Sequence, residues 1–158
     1  MTPDQARWAL RVASWKEDLG IQPPEALIGL AVDGLVAGLD GAALAELAGL
    51  NPRDIRLICD VFAEVVEEQG LEQTDKETTV LHVAREVAFD IVDGSIDPYS
   101  GAKEIWQLAT LFPEGDRDLG VFIGSASEIE DMPDDREWHE AQIVQAATAF
   151  AAQEKRRP

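Results

Sequence analysis

Seven acidic side chains crowd one short stretch: Glu128, Glu130, Asp131, Asp134, Asp135, Glu137 and Glu140, opposed there only by Arg136. Carboxylates this close can share a hard cation, or they can present an anionic surface to a basic protein. Asp131, Asp134 and Asp135 are the trio for a cation, but the spacing and turn glycine of an EF-hand are absent. Carboxylates at the start of the last helix account for most of these residues equally well. His82 and Glu86 stand four apart, so on a helix both reach one point and could chelate a divalent metal. Two ligands do not complete a site, and a structural histidine hydrogen-bonded to Glu86 is the simpler reading. Nucleophilic catalysis would need His82 or His139 beside a serine or Cys59, and nothing in the order of residues brings them together. Cys59 shares an apolar stripe with Ile55, Phe62 and Val66, as a small core residue does. No cofactor is expected, and the balance favours a role other than catalysis.

Arg53 and Arg56 open a different possibility. Leu44, Ala45, Ala48, Gly49, Leu50, Ile55 and Ile58 fall where a helix-turn-helix would bury its residues and turn its chain, so Ala43–Glu68 could present both arginines to DNA. The same helix carries Asp54, Asp60, Glu64, Glu67 and Glu68, a poor surface to lay along phosphates. The charge therefore argues against nucleic acid.

The whole chain leans the same way. Its 158 residues hold 31 acids against 13 bases, a formal charge of −18. Residues 61–140 alone carry 21 of those acids and five bases, whereas residues 1–16 are mildly basic. A field of that sign repels nucleic acid and anionic lipid and attracts cations or basic proteins. The single Cys59 excludes an internal disulfide. There is no basic segment followed by an apolar run at the start, and no apolar stretch approaches a membrane span. The expected setting is the cytoplasm.

Helical periodicity and caps organise these residues. Thr2 and Gln5 have capping-box spacing around Pro3, so a first helix is expected over Pro3–Leu19 with Trp8, Val12 and Trp15 on one stripe. A second opens at Pro23, Pro24 and Glu25 and turns Leu27, Ile28, Ala31, Leu35 and Val36 inward. A short helix over Gly41–Ala48 and one over Pro52–Gln69, capped by Asn51, come next. The helix Asp75–Asp93 points Val80, Ala84, Val87, Ala88 and Ile91 inward and leaves His82 and Glu86 on its polar side. Gly94 closes it, Asp97 and Pro98 start the next, and Pro113 ends that one. After a polar loop at Glu114–Asp118 a further helix includes Ala126 and Ile129. The last runs from about Pro133 to Gln153 and buries Trp138, Ala141, Ile143, Val144, Ala147 and Phe150, with a frayed tail at 155–158.

The corner IVDGSIDPYSGAKEIW, followed by VFIGSASEIEDMP and an acidic terminal helix, resembles small acidic all-α bacterial proteins of unassigned function. The likeness covers roughly the last seventy residues and implies no catalytic residues. In size, acidity and helical character the chain is also similar to toxin-immunity proteins.

These observations predict an all-α, single-domain bundle of six to eight helices over 1–158, with possible sub-bundles at 1–70 and 71–154. The expected function is binding of a basic protein partner, in the manner of an immunity protein, through the seven acids of residues 128–140. The alternatives are a DNA-binding regulator using Arg53 and Arg56, and a metal-dependent enzyme using His82 and Glu86 or the aspartates. Either a monomer or a homodimer fits.

Overall fold

A computed structural model describes residues 1–112, 117–153 and 158. Among them are eight α-helices, one short 3₁₀ helix and no strand, as an all-α bundle requires. The chain gathers into two compact units, one over Met1–Asp75 and one beginning at Lys76. No helix of the described residues is long and apolar enough to cross a membrane.

The first unit is built from α1 (Pro3–Asp18), α2 (Pro24–Val36), α3 (Ala42–Ala48) and α4 (Ile55–Glu68). The capping box forms as its spacing requires: Thr2 Oγ1 accepts from the Gln5 amide at 3.2 Å, and the Gln5 side chain accepts from the Thr2 amide at 2.9 Å. Of the expected stripe Trp15 is buried while Trp8 and Val12 are half-buried, and other residues of the helix reach this unit's core. Ala6, Leu10 and Ala13 join Leu27, Ala31, Leu44, Leu47, Ile58, Phe62 and Val65 there. In α2, Val36 is 83% exposed, against expectation. Gly34 lies where a Cβ would touch Leu39 and Leu44 at 3.4–3.5 Å, so close packing explains that glycine. Helix α4 starts later than expected. Asn51 Oδ1 accepts from the Arg53 amide at 3.0 Å, and the Asn51 carbonyl accepts from the Asp54 amide at 3.0 Å. These bonds form a turn that delays the helix to Ile55.

The second unit comprises α5 (Lys76–Asp93), α6 (Pro98–Thr110), α7 (Arg117–Asp131), a 3₁₀ turn (Pro133–Asp135) and α8 (Arg136–Ala151). Helix α5 packs on α6 and α8, and α7 packs on both α6 and α8. Its core holds Val80, Ala84, Val87, Ala88 and Ile91, as periodicity predicts, with Ala102, Ile105, Leu119, Phe122, Ala126, Ile129 and Ile143. Arg85 is buried as well. Its Nε donates to the Phe150 carbonyl at 3.4 Å and its guanidinium sits 4.8 Å from the Phe150 ring. A cation is thus placed near the C-terminal end of α8, where the helix dipole favours it.

The corner between α5 and α6 forms as its residues dictate. Gly94 adopts φ +82° after the last turn of α5. Asp97 caps α6 by accepting from the Ser100 amide at 3.0 Å, with Pro98 in the first turn. Gly101 is required by contact, since a Cβ there would come within 2.5 Å of Ile91. Of the expected polar loop Glu114–Asp118, Arg117 and Asp118 begin α7 and the rest lies outside the described residues. The expected tail lies outside them too, except Pro158.

Candidate protein-interaction surface

The acidic stretch forms the junction of α7, the 3₁₀ turn and α8. Helix α7 delivers Glu128, Glu130 and Asp131, the turn holds Asp134 and Asp135, and the first turns of α8 carry Glu137 and Glu140. A proline after Met132 ends α7, and the Asp135 amide donating to the Met132 carbonyl at 3.1 Å reverses the chain. That reversal places all seven carboxylates at one end of the second unit.

Two of the seven are occupied. Tyr99 and Lys103, one turn apart on α6, both donate to Glu130 Oε1, the Tyr99 hydroxyl at 2.8 Å. The Lys103 ammonium, and then the Tyr99 hydroxyl, hold the Glu130 carboxyl below the ordinary carboxylate range. The same bond raises the Tyr99 hydroxyl and the Lys103 ammonium above their usual values. Lys103 also lies 5.5 Å from the Trp106 ring and 5.9 Å from that of Tyr99. Arg136 pairs with Glu140 at 2.7 Å while its guanidinium lies 5.2 Å from the Tyr99 ring. Glu130 therefore joins α7 to α6, while Glu140 holds Arg136 within α8, where its guanidinium reaches the Tyr99 ring of α6.

The other five, Glu128, Asp131, Asp134, Asp135 and Glu137, are exposed, and no cation among the described residues lies within ion-pair reach of them. Trp138 stands directly beside them. It is 61% exposed, with its indole edge-on to His139 at 4.8 Å. The expected packing of α8 holds for Ile143, Ala147 and Phe150 and is overturned for Trp138, Ala141 and Val144. His139, Ile143, Ala147, Phe150 and Ala151 face the core, while Trp138, Ala141 and Val144 face solvent. A large exposed aromatic next to Glu137 and three and four residues after Asp135 and Asp134 offers a cation both Coulombic attraction and a π face.

The remaining candidates are scattered. Glu86 is buried and His82 half-buried on α5, so this is not the polar face that their spacing implied. Among the described residues no three His, Cys, Asp or Glu side chains converge to hold a metal ion. Arg53 and Arg56 are exposed around a shallow depression of about 590 Å³, shared with Asp54, Ile55, Leu57 and Asp60. Arg56 approaches Asp60 at 3.9 Å. Ala45 and Ile55, assigned to the buried side of a helix-turn-helix, are exposed. Cys59 is half-buried, and its thiol is raised first by burial and then by Glu17 and Asp60, which disfavours the thiolate.

Spacing alone pointed to the acids and missed Trp138, Tyr99 and Lys103 as their neighbours. The signal available was the aromatic–lysine pattern Tyr99-x-x-x-Lys103-x-x-Trp106, which puts three side chains on one side of α6. No protein family, curated protein or solved structure matches this chain.

Proposed function

We propose that this chain is a protein-interaction module that binds a basic protein through Glu128, Asp131, Asp134, Asp135 and Glu137. The observation that supports this most directly is the run of five exposed carboxylates, free of cations among the described residues, at the junction that also exposes Trp138. Charges arranged this way accelerate encounter with a cationic partner and disfavour acidic competitors. An exposed tryptophan supplies the large contact area on which interfaces concentrate their energy. Glu130 contributes by fixing the end of α7, which carries Glu128 and Asp131, against α6. The reading includes an immunity-like role, in which the acidic end covers a basic effector. It takes the setting to be cytoplasmic, where one unpaired cysteine is ordinary.

The test is capture from native extract on the tagged chain at low and at physiological salt, followed by kinetics with the protein recovered. A basic protein released by salt is the expected outcome. Replacing Asp131, Asp134 and Asp135 together by Asn should then lower its association rate by about tenfold at low salt, with less effect at high salt. An association rate that does not change on this substitution would sink the assignment of the surface.

A further inference from the structure

Arg53 and Arg56 have no part in the function proposed above. Among the described residues they are the only two exposed bases within four positions of each other. Arg56 meets Asp60 only at 3.9 Å, with both side chains largely in water, an arrangement that holds little energy. Arg53 has no ion-pair partner among the described residues. Ile55 and Leu57 are 45% and 43% exposed, and all four residues line the depression of about 590 Å³. The first turn of α4 opens into it without a side-chain cap, so the positive end of the helix dipole adds to the two guanidinium groups. Asp54 and Asp60 also line it and leave it balanced in charge, in a chain that carries −18. Apolar surface between two cations suits an acidic segment that carries an apolar side chain of its own.

This chain exposes such a segment. Every residue of 131–135 is exposed, where the chain reverses between α7 and α8. Met132, 48% exposed, stands there between Asp131 and the pair Asp134 and Asp135. Methionine adapts readily to an irregular apolar surface. We propose that the reversal at 131–135 of one copy docks in the depression of a second copy, Met132 against Ile55 and Leu57 and the aspartates against Arg53 and Arg56.

The two halves of this contact belong to different compact units and are unlike each other, so the copies meet head to tail. Two copies that exchange the contact close into a dimer; copies that do not exchange it add in a row. The charge of −18 on each copy opposes every approach that does not bring unlike charges together, which selects this orientation and keeps the contact weak. A basic protein on Asp131, Asp134 and Asp135 would compete with the second copy. The self-contact does not rest on that protein, because Arg53 and Arg56 lie outside the surface assigned to it.

Sedimentation of the full chain from micromolar to millimolar concentration tests the contact. The mass should rise above that of one chain. Arg53→Glu with Arg56→Glu should weaken the association by at least about tenfold. Asp131→Lys, Asp134→Lys and Asp135→Lys together should weaken it as much, although this second variant has lost negative charge and repels itself less. All five positions are exposed, so neither variant disturbs a core. Mixed in equal amounts, the two variants should associate again, since each supplies the half that the other lacks. A chain monomeric at every concentration overturns the proposal. Association indifferent to Arg53→Glu with Arg56→Glu overturns it too, as does a mixture that stays monomeric. The arginine variant should still capture a basic protein from extract, so the self-contact and the surface for that protein fail separately.

Discussion

Glu68 closes a gap that the residues around α3 leave open. No local side chain caps this helix; Gly41 occupies the cap position in extended backbone. Glu68, at the end of α4, accepts instead from the amides of Ala43 and Leu44, each at 3.1 Å. A Cβ on Gly41 would collide with that carboxylate, which accounts for the glycine. Burial opposes ionisation of Glu68, but the amides of Ala43, Leu44 and Ala42, with the Gln69 side chain, outweigh it and lower its pKa. Replacing Glu68 by Ala should destabilise the fold by about 1 kcal/mol, the usual effect of losing a cap, measured by urea unfolding at neutral pH. Because the folded-state pKa is lowered, this stabilisation is present above the ordinary carboxylate pKa. It disappears as pH falls through the lowered value. The difference between the two proteins should therefore shrink in acid; a constant difference would mean that the carboxylate charge has no part. The caps at Thr2 and Asp97 were legible because each partner lies three residues away. The bond from Glu68 spans 24–25 residues and has no local signature.

At the scale of the helix, the instructive case is α8. Alanine, valine, isoleucine and tryptophan are distributed around its whole circumference, so periodicity admitted more than one inward face. Packing chose the face with Ile143, Ala147 and Phe150, and turned Trp138 outward. Ile143 is fully buried, so Ile143→Ala should cost about 2–5 kcal/mol in thermal or urea unfolding. Trp138→Ala should change stability by less than about 0.5 kcal/mol despite removing the larger side chain. Comparable losses from the two would refute the assigned face. Helix α4 shows a smaller rotation of the same kind. Phe62 and Val66 are buried as expected, but Ile58, Val61 and Val65 complete the face and Ile55 is exposed. The turn at Asn51–Asp54 sets the start of that helix, and with it which residues turn inward.

For the molecule as a whole, the governing quantity is the charge of −18. Self-repulsion of this size destabilises a compact state and is screened as the Debye length falls from about 30 Å at 0.01 M salt to about 8 Å at 0.15 M. The melting temperature should therefore rise by a few degrees, roughly 2–4 °C for each kcal/mol of repulsion relieved, when followed by circular dichroism over that range. A fall would show that the surface ion pairs outweigh the repulsion.

Composition and local spacing by themselves determined that this chain is helical, acidic and punctuated at Thr2, Gly94, Asp97 and Pro98. Those features depend on backbone preferences, on caps reaching three residues and on counted charges, all of which are local or additive. Tertiary structure alone decided that Glu130 is bound to Tyr99 and Lys103, that Glu68 caps a distant helix, and that Trp138 stands in solvent. Each of these depends on which helix faces which, a choice made by close packing among many apolar residues that any single helix leaves open.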